Sequence, residues 1–328
     1  MAYSGTISQT VFDTRRVIDS AFRRVRMPAE TVSGENIQTA QNLLYLLLSN
    51  LANKGVPLWC IEKVILPLYE GKGDITLPDG TIDILNVNLR ILQEVTGANT
   101  TSSTTYSTAF GSDTPVTTVG VLWSGASVPL ALERSADGAT WTTVQTETPS
   151  AVAGEWTWFD VEQVVSAPYF RVRATTGSLA YSRVFFGNTP TEIPFGRLNR
   201  DDYTNLPNKT FQSLRPLQYW FDRQAPNAIM HLWPVPNSGS TTYQVVMWRH
   251  RHIMDVGTLT QSVEVPQRWL DAVIAELAVK LALEIPQVPG ELMPTLKAFA
   301  AEAMSDAWGE EIDKSPIRWA PNISAYTR

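Results

Sequence analysis

Apolar residues recur at spacings of three and four in four stretches of the chain, and elsewhere the pattern alternates or breaks. The clearest stretch is 266–285, PQRWLDAVIAELAVKLALEI, where Leu270, Val273, Ile274, Leu277 and Leu281 line one side of a helix. Ala272, Ala275, Ala278 and Ala282 favour the helix and let neighbours approach closely. Pro266 suits the first turn, where its missing N–H is not needed, and Pro286 stops the helix. Residues 10–27 predict a second helix, with Val11, Val17, Ile18, Ala21, Phe22 and Val25 on one side. Residues 34–54 predict a third, with Ser33 as N-cap and Gly55 as the residue past its end. Its Leu43, Leu44, Leu46, Leu47, Leu48 and Leu51 make it apolar almost all round, which predicts burial between other helices. Residues 290–313 predict the last, with Leu292, Leu296, Phe299, Ala300 and Ala303 on its apolar side. Helices this apolar need each other for cover, so the two ends of the chain are expected to close one bundle.

Between them the texture is β. Ile61–Tyr69 and Ile82–Ile91 read as strands or extended segments, and Pro78-Asp79-Gly80-Thr81 as a turn. Residues 96–108, rich in Thr, Ser, Asn and Gly, read as a linker. Short runs then follow at 118–123, 128–134, 141–147, 156–161, 169–174 and 181–186, with Asp137-Gly138 as a hairpin signal. Six short strands with turns between them predict a β-sandwich or jelly roll. Residues 217–222, 228–233 and 241–251 predict an antiparallel meander.

The fold class expected is therefore α+β. A helical bundle built from N- and C-terminal helices carries a small antiparallel sheet, and an all-β sandwich is inserted into it. The boundaries read as 1–98 for the first part of the bundle and sheet, 99–190 for the insertion, and 191–313 for the second part. Residues 314–328 form an extended tail, proline-broken but apolar at Ile317, Trp319, Ile323 and Tyr326.

Composition narrows the function classes. At 328 residues the chain exceeds what one core usually holds. A net charge of −6 opposes indiscriminate attraction to nucleic acid. The single cysteine, Cys60, cannot form an intrachain disulfide and is expected to act as a small buried hydrophobe. No charged-then-apolar leader and no apolar run of spanning length is readable, so folding in a cytoplasm and no membrane contact are the expectation.

The search for chemistry yields candidates without a constellation. Gly71-Lys72-Gly73 lacks the spacing of a phosphate-binding loop, and no G-x-S-x-G nucleophile elbow occurs. His250 and His252 share one face of a strand, yet no cysteine pair or H-E-x-x-H accompanies them, so no metal site is expected. Glu133, Glu147, Glu155 and Asp160 fall in the β insertion, but no spacing singles out a pair for glycoside hydrolysis. No catalytic residue and no cofactor is assigned. Trp156 and Trp158 lie on one strand face and offer either a sugar-stacking platform or ordinary packing. The first helix carries Arg15, Arg16, Arg23, Arg24 and Arg26, read either as a solvated face or as one presented to an acidic partner or DNA.

Two resemblances follow from these residues. Val64-Ile65-Leu66-Pro67-Leu68-Tyr69, ITLPDGTIDILNVNLR at 75–90, Leu232-Trp233-Pro234-Val235-Pro236 and Val265-Pro266 before an alanine-rich helix resemble the head-to-tail adaptor (connector) proteins of short-tailed bacteriophages. These are relatives of packaged-DNA stabilisation and tail-tubular proteins. That resemblance covers about 8–95 and 210–310, and it implies a structural virion protein rather than an enzyme. It further implies a ring of twelve copies at the head–tail junction, between the portal protein and the tail nozzle protein. Genomic DNA would pass through its lumen without sequence-specific binding. In that family the C-terminal segment docks onto the portal, which would give Ile317, Arg318, Trp319, Ile323 and Tyr326 their role, while Arg15, Arg16, Arg23 and Arg24 would face acidic neighbours. Separately, LERSADGATW at 132–141 and APYFRV at 167–172 resemble discoidin-like (coagulation factor type C) β-sandwiches, which often bind glycans through loops at one end. The alternatives to the adaptor are thus a glycan-binding tail component and a cell-wall hydrolase.

Overall fold

The computed structural model describes residues 12–28, 31–55, 57–286 and 288–311. The helices are α1 (Thr14–Arg24), α2 (Gly34–Lys54), the short α3 (Arg200–Thr204), α4 (Gln267–Glu284) and α5 (Met293–Glu310). The chain divides into two compact units, one of residues 1–62 with 250–328 and one of residues 63–249.

In the first unit α1, α2, α4 and α5 share one apolar core. Asp13 caps α1 by accepting from the Arg16 N–H, and Ser33 caps α2 by accepting from the Asn36 N–H. Val17, Ile18, Ala21, Phe22 and Val25 are buried, as are Leu43, Leu44, Leu47, Leu48 and Leu51. Trp269 is fully buried and meets Trp59 and Trp308 edge-on, with ring centroids 5.0 and 4.9 Å away. Glu311 closes this corner. Its carboxylate accepts from the Leu58 N–H at 2.7 Å, from Arg268 at 2.7 Å and from the Trp269 indole N–H at 3.2 Å. Burial alone would raise the Glu311 pKa, but the three donors together hold it below the usual carboxylate range.

Three expectations change here. Leu46 and Tyr45 stand exposed, because Leu43, Leu44, Leu47, Leu48 and Leu51 already fill the side of α2 that the other helices cover. Gly55 is extended at φ 174 rather than left-handed. Its lack of a Cβ makes room for the Trp308 ring, which would lie 3.0 Å from one. On α5 the buried stripe is Leu296, Ala300, Met304 and Ala307, and it leaves Phe299 60% exposed.

The second unit is β. Its strands are β1 (Ile61–Pro67), β2 (Asp74–Thr76), β3 (Thr81–Glu94), β4 (Ala98–Thr101), β5 (Thr105–Trp123), β6 (Leu130–Ser135), β7 (Thr142–Glu147), β8 (Trp156–Ala174), β9 (Tyr181–Pro194), β10 (Gly196–Leu198), β11 (Gln212–Ser213), β12 (Gln218–Asp222), β13 (Ile229–Trp233), β14 (Val235–Pro236) and β15 (Gln244–Arg251). Strands β5 and β8 pair antiparallel from Thr105↔Arg173 to Leu122↔Trp156, with bulges at 109–114 and 116–118. The first half of β5 also pairs with β4, and its second half with β9. The second half of β8 pairs with β6, which pairs with β7. One sheet thus folds over at the bulges, where extra residues bend a strand, and becomes a sandwich. Between its layers lie Val119, Val121, Trp123, Leu130, Leu132, Phe159, Phe170, Val172 and Phe186. The Trp123 indole N–H donates to Thr157 Oγ1 at 2.8 Å, so its polar end is satisfied.

The sandwich is part of an inserted unit, but that unit is wider than 99–190. Strand β9 crosses position 190, and its far end pairs with β3. The ladder runs β1-β15-β3-β9-β5-β8-β6-β7 without interruption. The second sheet, β10-β12-β13-β2, packs on the β3 and β15 part of this ladder through Leu68, Leu77, Ile84, Phe221, Met230 and Val245. The meander expected at 217–251 is therefore broken, since β13 pairs with β2 and β15 joins the larger sheet. The expected linker at 96–108 is the hairpin of β4 and β5, because its threonines suit a pleated ladder as well as a loop. The tail expected at 314–328 lies outside the described residues.

Candidate functional site

The β6–β7 hairpin is built by its turn. Gly138 takes φ 72, which suits glycine. Asp137 Oδ1 accepts from the Ala139 N–H at 2.9 Å, the Thr140 N–H at 2.7 Å and the Ser135 hydroxyl at 2.8 Å. These donors, led by the Thr140 and Ala139 N–H groups, hold the Asp137 carboxyl well below its ordinary range. Asp137 is therefore committed to shaping the loop.

Beside this hairpin the bulged part of β5 and the middle of β8 leave a polar cleft of about 470 Å³. Arg134 and Asp113 line it, with the hydroxyls of Ser135, Thr140, Thr142 and Ser166. Arg134 and Asp113 are exposed, and among the described residues neither side chain has an ion-pair partner. Ser135 and Thr140 spend their hydroxyl protons on Asp137, so the cleft offers a guanidinium, a carboxylate and the hydroxyls of Thr142 and Ser166, a mixture that can donate to and accept from a neutral polyhydroxyl ligand.

On the neighbouring outer strand positions Glu133 is buried between Arg171 and Arg173, the latter at 2.7 Å. Burial would raise its pKa, but Arg173 and Arg171 lower it, so it is held as a carboxylate. Arg171 in turn lies 4.2 Å over the Trp141 ring. This cluster fixes the strand face from which the hairpin projects.

Of the two uses open to Trp156 and Trp158, a sugar platform or ordinary packing, the structure shows packing. Trp156 is buried, and its ring stacks on that of Trp158 with centroids 4.7 Å apart and planes 20° from parallel. The Trp156 N–H donates to the Tyr69 hydroxyl at 3.1 Å, and Trp158 meets Phe185 edge-on. Gly120 permits this, since a Cβ there would lie 2.4 Å from the Trp158 ring. The two rings spend their faces on each other and on Leu92, Phe185 and Leu122.

The other candidates separate. Asp160 is held at 3.0 Å by both Arg90 and Lys63, Glu155 accepts from the Val152 N–H, and Glu147 from Gln145. On α1, Arg15 pairs with Asp19 at 3.0 Å, Arg16 lies over the Phe12 ring, and Arg24 contacts Asp271. Arg15 and Arg24 are thus ion-paired within their own unit, while Arg23 and Arg26 are exposed. Cys60 is fully buried, and burial pushes its thiol to about 11. His250 on β15 is buried, while His231 on β13 bonds Asp74 at 2.6 Å and stacks on Trp220. Among the described residues no group of three metal-ligating side chains comes together. No helix among them is long and apolar enough to cross a membrane. The portal-docking residues Ile317, Arg318, Trp319, Ile323 and Tyr326 lie outside the described residues.

Sequence reading missed Arg134 and Asp113. A signal for Arg134 existed: it continues the inward alternation of Leu130 and Leu132 with a charge, opposite Phe170 in an unbroken β6–β8 register.

No family model and no curated protein matches this chain. Among solved structures, a CBM32 of AlyQ in complex with 4,5-unsaturated mannuronic acid is 15% identical, with 33% of this chain and 98% of that one covered and a TM-score of 0.24. CpGH89CBM32-6 produced by Clostridium perfringens is 9% identical, covering 31% and 92%, with a TM-score of 0.23. An F5/8 type C domain from Bacteroides fragilis is 11% identical, with a TM-score of 0.22; 26% of this chain and 64% of that domain, under two thirds of its length, are covered. Each of these alignments covers a minority of this chain.

Proposed function

We propose that this chain is a non-catalytic binding protein whose β-sandwich takes a glycan in the cleft beside the β6–β7 hairpin. One observation carries the reading: Arg134 and Asp113, charged and without partners among the described residues, line the same cleft as the hydroxyls of Thr142 and Ser166. Such a lining meets the alternating donors and acceptors of a sugar ring with charge-assisted hydrogen bonds. The test is a glycan array probed with the full-length protein, since a 99–190 fragment would cut β9. A glycan found there should bind at least about tenfold more weakly to Arg134→Ala, the loss expected for one hydrogen bond to a charged group. Silence across the array would end the reading, and so would an unaffected Arg134→Ala.

A second reading, the phage head-to-tail adaptor, is favoured by a different observation. Helices from both ends of the chain share one core, and Tyr45, Leu46 and Leu283 remain exposed on it, as expected of a surface that assembles with protein. In that reading the chain forms a ring between the portal protein and the tail nozzle protein of a virion, around the passing DNA. Mixing the chain with a portal protein and measuring the mass of any complex tests it; a chain that stays monomeric in that mixture would count against it.

A further inference from the structure

The C-terminal turn of α1 holds a residue in a conformation its side chain disfavours. Arg26 has φ 60, where any residue with a Cβ is worse off than glycine. The Arg26 N–H donates to Arg23 O and the Met27 N–H to Phe22 O, a helix-ending pattern that glycine usually occupies. An arginine kept at such a position points to a use for its guanidinium. Its side chain is exposed, and among the described residues nothing pairs with it.

Arg26 stands at the mouth of a groove of about 450 Å³ in the helical unit, a size within the range of about 300–1,000 Å³ typical of ligand clefts. The groove is lined by Ala275 of α4, by Leu296 and Phe299 of α5, and by Leu292 just before α5. Its one lining carboxylate, Asp271, is already taken by Arg24. The groove therefore combines an apolar interior with one positive charge that is unpaired among the described residues. Phe299 is 60% exposed on it, a cost in water that an apolar occupant would remove. A phosphate or a nucleic acid would meet the cation but waste the apolar walls. The chain's own residues 314–328 fit poorly, with three basic side chains and no acidic one.

We propose that this groove binds a peptide segment of a partner protein, one that sets bulky apolar side chains against Leu292, Leu296 and Phe299 and a carboxylate against Arg26. The inference stands apart from the glycan reading, because it concerns the helical unit alone.

The experiment titrates the full-length protein by calorimetry with a synthetic amphipathic helical peptide bearing Leu and Phe on one side and Glu on the other. The same peptide with Lys in place of Glu is the control. The Glu peptide should bind, and the Lys peptide should bind at least about tenfold more weakly, as should the Glu peptide to Phe299→Glu. Arg26→Gly should lose a similar factor while folding without difficulty, since glycine suits the backbone there. That variant separates loss of the charge from loss of the fold. Equal binding of both peptides, binding of neither, or undiminished binding by Arg26→Gly would each overturn the proposal. Sedimentation completes it: self-association abolished by Phe299→Glu would assign the groove to a second copy and also overturn it.

Discussion

The helical unit and the β unit bury their residues by different logic. In the first, the core is almost entirely aliphatic and tryptophan, and the buried charge of Glu311 sits at a helix end. In the second, charge runs through the sheets. Glu133 is buried with Arg171 and Arg173, Arg90 with Asp160 and Glu192, and Arg249 donates to Pro78 O, Asp79 O and Thr81 Oγ1. A helix can exclude charge from its inner side by period alone. A strand that crosses from one layer to another presents both sides to protein somewhere along its length, so its polar residues must find partners across the ladder. Free charge is then informative where it persists, as at Arg134 in the β unit and Arg26 in the helical unit.

Core truncations should break the comparison most sharply. Trp269→Ala and Trp123→Ala each remove a fully buried indole with a hydrogen-bonded N–H. Each should cost about 3–5 kcal/mol. Hydrogen exchange should show the first variant loosening α4 and α5, and the second loosening β5 and β8. Uniform loss of protection throughout the chain in both variants would merge the two units into one cooperative body.

Glu311→Gln should cost less, about 2 kcal/mol, the value of hydrogen bonds to a charged group. Because the folded carboxyl titrates below its ordinary value, its contribution is complete above the unfolded glutamate range and is lost as pH falls through the folded value. Acid titration of the helical unit's stability should therefore be shallower in the Gln variant than in the wild type. An identical acid limb in both would remove Glu311 from the account.

Smaller still, Arg26→Gly should raise stability by about 1 kcal/mol through relief of the left-handed backbone, read as a shift in the denaturation midpoint. Arg15→Ala, which removes a half-exposed pair with Asp19, should change stability by about 0.5 kcal/mol or less.

These contrasts also explain what the sequence made legible. The three- and four-residue spacing placed α2 at its observed bounds and α4 and α5 within a few residues, because a helix is specified by near neighbours. Leu46 and Phe299 escaped that reading, since period alone does not say how wide a side the partner helices cover. In the β unit strand positions were readable but their joins were not. Residues 156–161 and 169–174 are one strand, β8, and its continuity depends on β5 pairing along it. The partners of buried charge lie far apart in sequence: Glu133 and Arg171 are 38 positions apart, and Arg90 and Glu192 are 102. Trp156 and Trp158 were rightly placed on one face, but the sequence could not tell that Gly120 opens the space into which Trp158 packs. The cleft was illegible for the same reason. Arg134 and Asp113 line one cleft although 21 positions apart, and Asp113 stands in the bulge of β5 at 109–114.

The most direct test of the glycan-binding account is hydrogen exchange of the full-length protein with and without a saturating concentration of the strongest glycan from the array. The account predicts slowed exchange at 134–142 and 166–168, with the 156–158 segment unchanged. Slowing confined to 156–158, or none in the β unit at all, would contradict it.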